Sequence, residues 1–534
     1  MSRFAGTWAL TRFALRRDRL LVPVWIIVFV LSTVSTASAT MALYPDVTSR
    51  TIAATGVNEV PVAVAFYGRI WDPTSLGALS LLKLGGFGGA MVAILAIMLV
   101  TRHTRAEEEK GRTELIGATV VGEWAWMAAA LIVTTVTMLA IGILSGAGLI
   151  AVGLPATGSM AFGLAWATTG MAFAAIAAVT AQLASTGRGA NALAIGILGV
   201  TFVLRAVGDV LGGAAGPTVW TWLSPIGWGM QVRPYAGDRL GLLLIPLAFF
   251  VIVGGFAMFL ETRRDLGAGI VPDRAGPARA GRLLSSPLGL AWRLQRSLLI
   301  VWLVWYVIIG AVIGNIVNNL GALMDTPQAQ QMITALGGTD VMQDAFITLE
   351  FSIFAFVTAS YGIAATRRMS TEEDSGLAEV LLATAVSRTR LLWSHVTIAL
   401  AGTAALSLTL GLAFGLASAQ ANGTTDRLWP TVGASLVSLP AVWVMTGLVV
   451  AIDGFTPRLT NLAWPFVVAF VLISEVGAML KWPAWVMNLS PFAHIPALPA
   501  APMRWTPLVL LILISAALIA VGTVRFRQRD LDTA

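Results

Sequence analysis

The chain has 534 residues, 57% hydrophobic and only 11% charged, with a mean hydropathy of +0.82. A soluble globular domain carries about 25% charged residues, so a soluble fold is excluded and the chain reads as an all-α polytopic membrane protein. The absence of cysteine excludes disulfides, thiolate metal sites and cysteine catalysis. The net charge of +7 belongs to basic residues gathered on one membrane face rather than to a nucleic-acid interface, because no soluble domain remains to carry one.

In chain order, the first element is a basic amphipathic stretch, with Phe13, Leu15, Leu20 and Leu21 among Arg12, Arg16, Arg17 and Arg19. Such a stretch suits a helix lying in the membrane interface, arginines among phosphates and apolar face in lipid. A bilayer crossing needs about 20 apolar residues. Twelve runs qualify, at residues 20–42, 79–101, 124–152, 159–184, 190–211, 240–260, 298–320, 346–366, 391–418, 429–452, 459–479 and 505–524.

Between the second and third runs lies Thr101-Arg102-His103-Thr104-Arg105-Ala106-Glu107-Glu108-Glu109-Lys110-Gly111-Arg112-Thr113-Glu114, closing on Leu115, Ile116 and Ala118-Thr119. The same pattern returns 265 residues on, from Thr366-Arg367 through Glu372-Glu373-Asp374, Gly376 and Glu379 to Val380, Leu381 and Ala383-Thr384. Arg264-Asp265-Leu266 is matched at the same offset by Arg529-Asp530-Leu531, while Arg16, Arg19 and Trp25 are matched by Arg293, Arg296 and Trp302. Self-similarity at fixed spacing marks a duplicated architecture. The chain therefore divides into a first six-span half (residues 1–266), a linker rich in Gly, Pro, Ala and Arg (267–287) and a second six-span half (288–534).

Placing the N-terminus inside puts most of the 34 Lys and Arg on the cytoplasmic side, the asymmetry that orients membrane proteins. Both termini, both repeated acidic segments and the linker then face the cytoplasm of a plasma membrane. Acids gain nothing near an anionic inner leaflet, so their return in the second half points to a docking surface. If Ala106–Gly117 is one short helix, Glu107 and Glu114 share a face, and Gly111 on that face admits another backbone. Leu115 and Ile116, like Val380 and Leu381, supply the apolar part of the patch.

A basic residue, an acidic run, a glycine, then glutamate followed by aliphatics, set between the second and third spans, resembles the coupling-helix segment of ABC type-2 exporter permeases. The duplicated twelve-span layout is similar to the branch of polyketide-antibiotic (tetronasin-type) exporter permeases, and the likeness runs over essentially the whole chain. It is carried further by Arg205-Ala206-Val207-Gly208-Asp209, by Trp222-Leu223-Ser224-Pro225-Ile226-Gly227-Trp228, and by Arg263-Arg264-Asp265-Leu266. The second half departs from it: Ser490-Pro491 remains, but His494 stands in place of Trp228 and no Arg/Asp pair answers Arg205 and Asp209.

The resemblance implies export of hydrophobic or amphiphilic compounds from a bacterial cell, antibiotics and drugs among them. ATP and Mg would be bound by a separate ABC ATPase subunit, two copies per permease. The docking residues it implies are Arg105, Glu107, Glu108, Glu109, Gly111 and Glu114 in one segment, and Glu372, Glu373, Asp374, Gly376 and Glu379 in the other. Consistently, the dipeptide Gly-Lys never occurs, so the sequence holds no Walker A phosphate loop and no cofactor site of its own. The competing reading is a proton-coupled secondary multidrug transporter, which would need acids or histidines deep in the spans, where few stand; Glu350 and Glu475 sit near outer span ends, an interfacial location, and become proton-site candidates only if they lie deep.

Arg205 and Asp209, four apart on a helix, are expected to form a structural ion pair. Lys83 is expected to snorkel to the interface, Gly85 and Gly89 to mark a close helix crossing, and Trp220, Trp222 and Trp228 to form an interfacial belt. The three histidines, His103, His395 and His494, are too scattered for a metal site. No residue is assigned to catalysis, and no substrate contact is legible.

Overall fold

A computed structural model describes residues 2–59, 61–117, 120–271, 279, 281–318, 339–374, 376–477 and 482–529. Every regular element in them is helical, and the chain separates into two compact units, Met1–Gly276 and Pro277–Ala534. Among the described residues eleven helices are long and apolar enough to cross a membrane, so the protein is an all-α polytopic membrane protein.

In the first unit the amphipathic helix α1 (Thr7–Arg17) precedes α2 (Leu21–Leu43), and short helices α3 (Val47–Glu59), α4 (Pro61–Tyr67) and α5 (Leu76–Ser80) lead to α6 (Gly89–His103). The repeated acidic segment forms α7 (Arg105–Glu108) and α8 (Arg112–Gly117). The long helices α9 (Ala125–Ala151), α10 (Ala156–Leu183) and α11 (Gly187–Gly212) follow, then the short α12 (Val219–Trp222) and α13 (Pro225–Met230), and finally α14 (Leu244–Glu261).

Helix α10 is the hub: it packs against α6, α9, α11 and α14, and 89% of its most apolar window is buried. It is built for this by small residues, since in lipid helices associate through close backbone contact rather than a hydrophobic force. A Cβ on Gly163 would sit 2.0 Å from the Gly142 carbonyl oxygen of α9. By contrast α2, α11 and α14 keep most of their apolar surface outward, as spans facing lipid do. The glycine expectation needs correcting by one residue. Gly85 and Gly89 have ordinary surroundings, while the tight positions are Gly86, whose Cβ would meet the Phe66 carbonyl at 2.8 Å, and Gly88, whose Cβ would meet Trp166 at 2.5 Å.

The second unit runs α15 (Pro287–Asn318), α16 (Thr339–Thr366), α17 (Arg368–Asp374), α18 (Leu377–Leu382), α19 (Arg388–Asn422), α20 (Leu428–Leu436), α21 (Leu439–Phe455), α22 (Ala463–Val471), α23 (Ala484–Met487) and α24 (Trp505–Gln528). Helix α19 packs on α15, and α21 on α24, where a Cβ on Gly454 would lie 2.4 Å from the Gly522 carbonyl.

One expectation changes here. The elbow helix is separate only in the first half, where the chain breaks at Asp18 and that carboxylate turns inward to His103. In the second half Arg293 and Arg296 lie within the single 32-residue helix α15. Of the predicted span at residues 459–479, the described residues form an apolar helix over Leu459–Ser474, entered through a 3-10 turn at Pro457–Leu462 and continued by a π-turn at Leu472–Gly477, and residues 478–479 lie outside the described residues. The Glu475 side chain lies outside the described residues, as do those of Leu115 and Ile116.

Candidate functional site

The repeated segment is two short helices broken at a glycine rather than one. Gly111 has φ +67° and Gly376 φ +72°, the left-handed region that favours glycine. A Cβ on either would meet nothing within 4 Å, so each supplies a turn, not a contact for a close-packed backbone.

That break turns the first part of each segment inward. Arg105 is 1% exposed, with Nη1 2.8 Å from Glu108 Oε2, Nε donating to the Ser185 carbonyl at 3.0 Å and Nη2 to Gly267 at 3.3 Å. Glu108 also takes Arg264 Nη1 at 2.5 Å and Nη2 at 2.8 Å, and the Gly267 N–H at 2.6 Å. Glu107, 2% exposed, is paired with Arg17 at 2.5 Å and Arg112 at 3.2 Å. Glu109 is exposed but accepts the Gly187 N–H at 3.0 Å. Glu114 faces solvent from α8.

In the second segment Glu373 receives both terminal nitrogens of Arg529 at 2.5 Å. Glu372 pairs with Arg368 at 3.1 Å and His395 at 3.3 Å, and His395 Nδ1 lies 3.0 Å from Gln295. Ser370, where the first copy has Arg105, donates to Asp453 Oδ1 at 2.6 Å. Asp374 and Glu379 are exposed, beside the exposed apolar side chains of Leu377 and Val380.

Glu107, Glu108, Glu372 and Glu373, expected as docking residues, thus have largely buried side chains that face partners within this chain. Guanidinium groups of the same chain, with the His395 imidazole beside Glu372, already face them, so a second protein would have to share or displace an existing partner. Sequence reading also missed their partners Arg17, Arg264, His395 and Arg529. The signal for two of them was present: Arg264 and Arg529 repeat at the offset of Glu108 and Glu373.

At the opposite end of the first half, Arg205 is fully buried and meets Asp209 at 3.2 Å. Its Nη2 donates to the Ala65 carbonyl at 2.7 Å, and Asp209 Oδ1 accepts from Thr221 at 3.1 Å. This is a tie between α4, α11 and α12. In the second half the positions matching Arg205 and Asp209 are Phe470 and Ser474, and the tie becomes a Ser474–Ser490 hydroxyl contact at 2.9 Å. Trp228 donates to the Trp222 carbonyl at 2.7 Å, and Lys83 is exposed.

Beside that tie, a cleft of about 690 Å³, mouth included, opens between α5, α6, α10 and α13. Tyr67, Trp71, Phe162, Trp166 and Met230 wall it, with Arg69 and Arg233 at its edge. The loop closing it carries three non-glycine residues at positive φ, Arg233 (+51°), Tyr235 (+60°) and Asp238 (+42°), a strain that persists only when surroundings over-determine it. Here Asp238 Oδ1 accepts the Tyr235 N–H at 2.7 Å, and the Tyr235 ring fills space that Gly77 and Gly158 leave open. Burial pushes the Tyr235 phenol up to about 12, and its hydroxyl lies 2.7 Å from Ser159 Oγ. Because Ser159 already donates to the Pro155 carbonyl at 2.8 Å, the phenol is the donor.

Comparison with known proteins adds two findings. A protein of Mycobacterium tuberculosis (strain ATCC 25618 / H37Rv), described as multidrug efflux system permease protein Rv1217c, is 42% identical over 533 residues, covering 99% of this chain and 96% of that one. Residues 284–527 match the family described as multidrug efflux system permease Rv1217c, C-terminal domain.

Proposed function

The chain belongs to the Rv1217c family of multidrug efflux system permeases, and we propose that it is the membrane subunit of an ABC exporter, moving hydrophobic or amphiphilic compounds outward while a separate ATPase subunit hydrolyses ATP. The observation that carries this reading is the doubled, internally braced segment. Glu108 with Arg264, and Glu373 with Arg529, fix the root of each segment to the end of its half's last span. Glu114, Leu377, Glu379 and Val380 remain exposed beyond the glycine break, and Asp374 just before it. A rigid root with a free tip is what force transmission from a docked subunit requires.

The arginine bias places both tips in the cytoplasm, where an ATPase would meet them, one copy per segment. The absence of a Gly-Lys dipeptide leaves the phosphate loop to that partner. Docking acids then serve orientation and association rate more than raw affinity. Asp209, Glu261 and Asp453 all lie near the ends of their spans, which favours ATP-driven export over a proton relay through mid-membrane carboxylates.

The test is purification of the full chain from native membranes in mild detergent, followed by an ATPase assay. A co-purifying Walker-motif subunit whose hydrolysis rises with added hydrophobic drug is the expected result. Recovery of the permease with no such subunit overturns the reading.

A further inference from the structure

The cleft at the end of the first half opposite the coupling segment has a charge pattern that its packing does not account for. Its lining contains two arginines and no acid. Arg233 is stacked 3.4 Å over the Trp71 ring, and its Nε and Nη2 share the Gln231 side-chain oxygen at 3.3 Å. Arg69 is half-buried and has no hydrogen-bond or ion-pair partner among the described residues. The nearby carboxylates are engaged elsewhere: Asp209 with Arg205 and Thr221, Asp238 with the Tyr235 N–H, and Asp72 with Thr74.

A partly desolvated guanidinium is costly without a counter-charge. The cleft behind it is the converse, aromatic and apolar. Trp166 lies along it, fixed by donation from its indole N–H to the Leu84 carbonyl at 3.1 Å, a group in the π-turn Leu84–Gly88. Small-molecule sites likewise pair apolar walls with a few placed polar groups.

We infer that this cleft binds an anionic amphiphile, its carboxylate or phosphate on Arg69 and Arg233 and its apolar body against Trp71, Phe162, Trp166 and Met230. The planar fork of arginine suits both anions. Two sources share this chemistry, a free lipophilic acid and a membrane lipid headgroup. The claim that the bound molecule is cargo rests on the efflux reading, whereas the binding itself does not.

The experiment uses the purified full-length permease in neutral detergent, with dansylated undecanoic acid and its neutral amide as paired probes read by fluorescence titration. Wild type is expected to bind the acid about tenfold more tightly than the amide, the scale of one charge-assisted hydrogen bond. The Arg69→Gln, Arg233→Gln double variant should bring the ratio to about one, Arg69→Lys should retain most of it, and Arg504→Gln, an exposed control in the second half, should leave it intact. If the double variant does not fold, Arg69→Gln alone decides, since it removes no hydrogen bond or ion pair among the described residues.

Repeating the titration in nanodiscs of phosphatidylcholine with and without phosphatidylglycerol separates the sources. Competition by the anionic lipid, lost in Arg69→Gln, assigns a headgroup site; equal affinity in both discs assigns a free amphiphile. Equal binding of acid and amide by wild type, or an unchanged acid preference in the arginine variants, overturns the inference. Failure of drug transport with the acid preference intact would refute the efflux reading and leave this site standing.

Discussion

Glu108 and Arg264 form a bidentate buried ion pair, and the same pair recurs 265 residues on as Glu373 and Arg529, each pair 156 residues apart in sequence. The duplication has thus kept a three-dimensional contact, not merely a composition. In both halves a carboxylate at the root of the repeated acidic segment is clamped to the chain just beyond the last span. Around that shared clamp the two copies differ: the first is braced by Arg17 and Arg105, the second by His395 and by Ser370 on Asp453.

Breaking one member of the clamp leaves an uncompensated buried charge, which costs about 3–5 kcal/mol. Glu108→Gln and Arg264→Gln are each expected to lower the thermal midpoint of the purified permease, and the double variant to lose less than the sum. Intrinsic fluorescence melts over the four-member cycle check this. Strictly additive losses would show that the two side chains do not interact.

Arg205→Lys is expected to destabilise the first half although the charge is kept. Arg205 serves Asp209 and the Ala65 carbonyl from one planar fork, a geometry that an ammonium cannot reproduce. Lower yield of monodisperse protein, with Arg239→Lys at an exposed position unaffected, is the outcome to look for by size-exclusion chromatography.

Gly163→Val should separate α9 from α10, because a Cβ there would lie 2.0 Å from the Gly142 carbonyl. Overpacking of this kind costs about 1–3 kcal/mol. Gly199→Val, where a Cβ meets nothing within 4 Å, is the matched control; equal melting of the two variants would refute the close contact.

Tyr235→Phe removes the hydrogen bond to Ser159 while keeping the ring between Gly77 and Gly158, and should cost about 1 kcal/mol. Replacement by Ala should cost more, as it also frees the strained loop. The ordering of the two melts is the check.

How far the sequence revealed this molecule follows from the physics of each feature. Span positions are legible because hydrocarbon demands long apolar runs, and the duplication because Glu108, Arg264, Glu373 and Arg529 keep a fixed offset. What the carboxylates touch is not legible: Arg17, Arg105, Arg112 and Arg264 are all plausible partners for Glu107 and Glu108, and only the fold apportions them. The glycine break was hidden for a related reason. Gly111 within an acidic run can read as a packing surface or a turn, and its positive φ decides for the turn. The second half, without a separate elbow, has Gln295 where Asp18 bends the first, and the 3-10 entry to Leu459–Ser474 begins at Pro457. The cleft at Arg69 gathers α4, α6, α10 and α13, so no local pattern marks it.

In the proposed exporter the exposed tips of the two repeated segments hold an ATPase, while their buried roots hold the permease together. Glu114 and Glu379 are solvent-exposed tip residues with no ion-pair partner among the described residues. The direct measurement is the yield of Walker-motif ATPase recovered with the Glu114→Arg, Glu379→Arg double variant from native membranes, alongside its thermal midpoint. ATPase recovery is expected to collapse while the midpoint stays at the wild-type value. Undiminished ATPase recovery from that folded variant would contradict it.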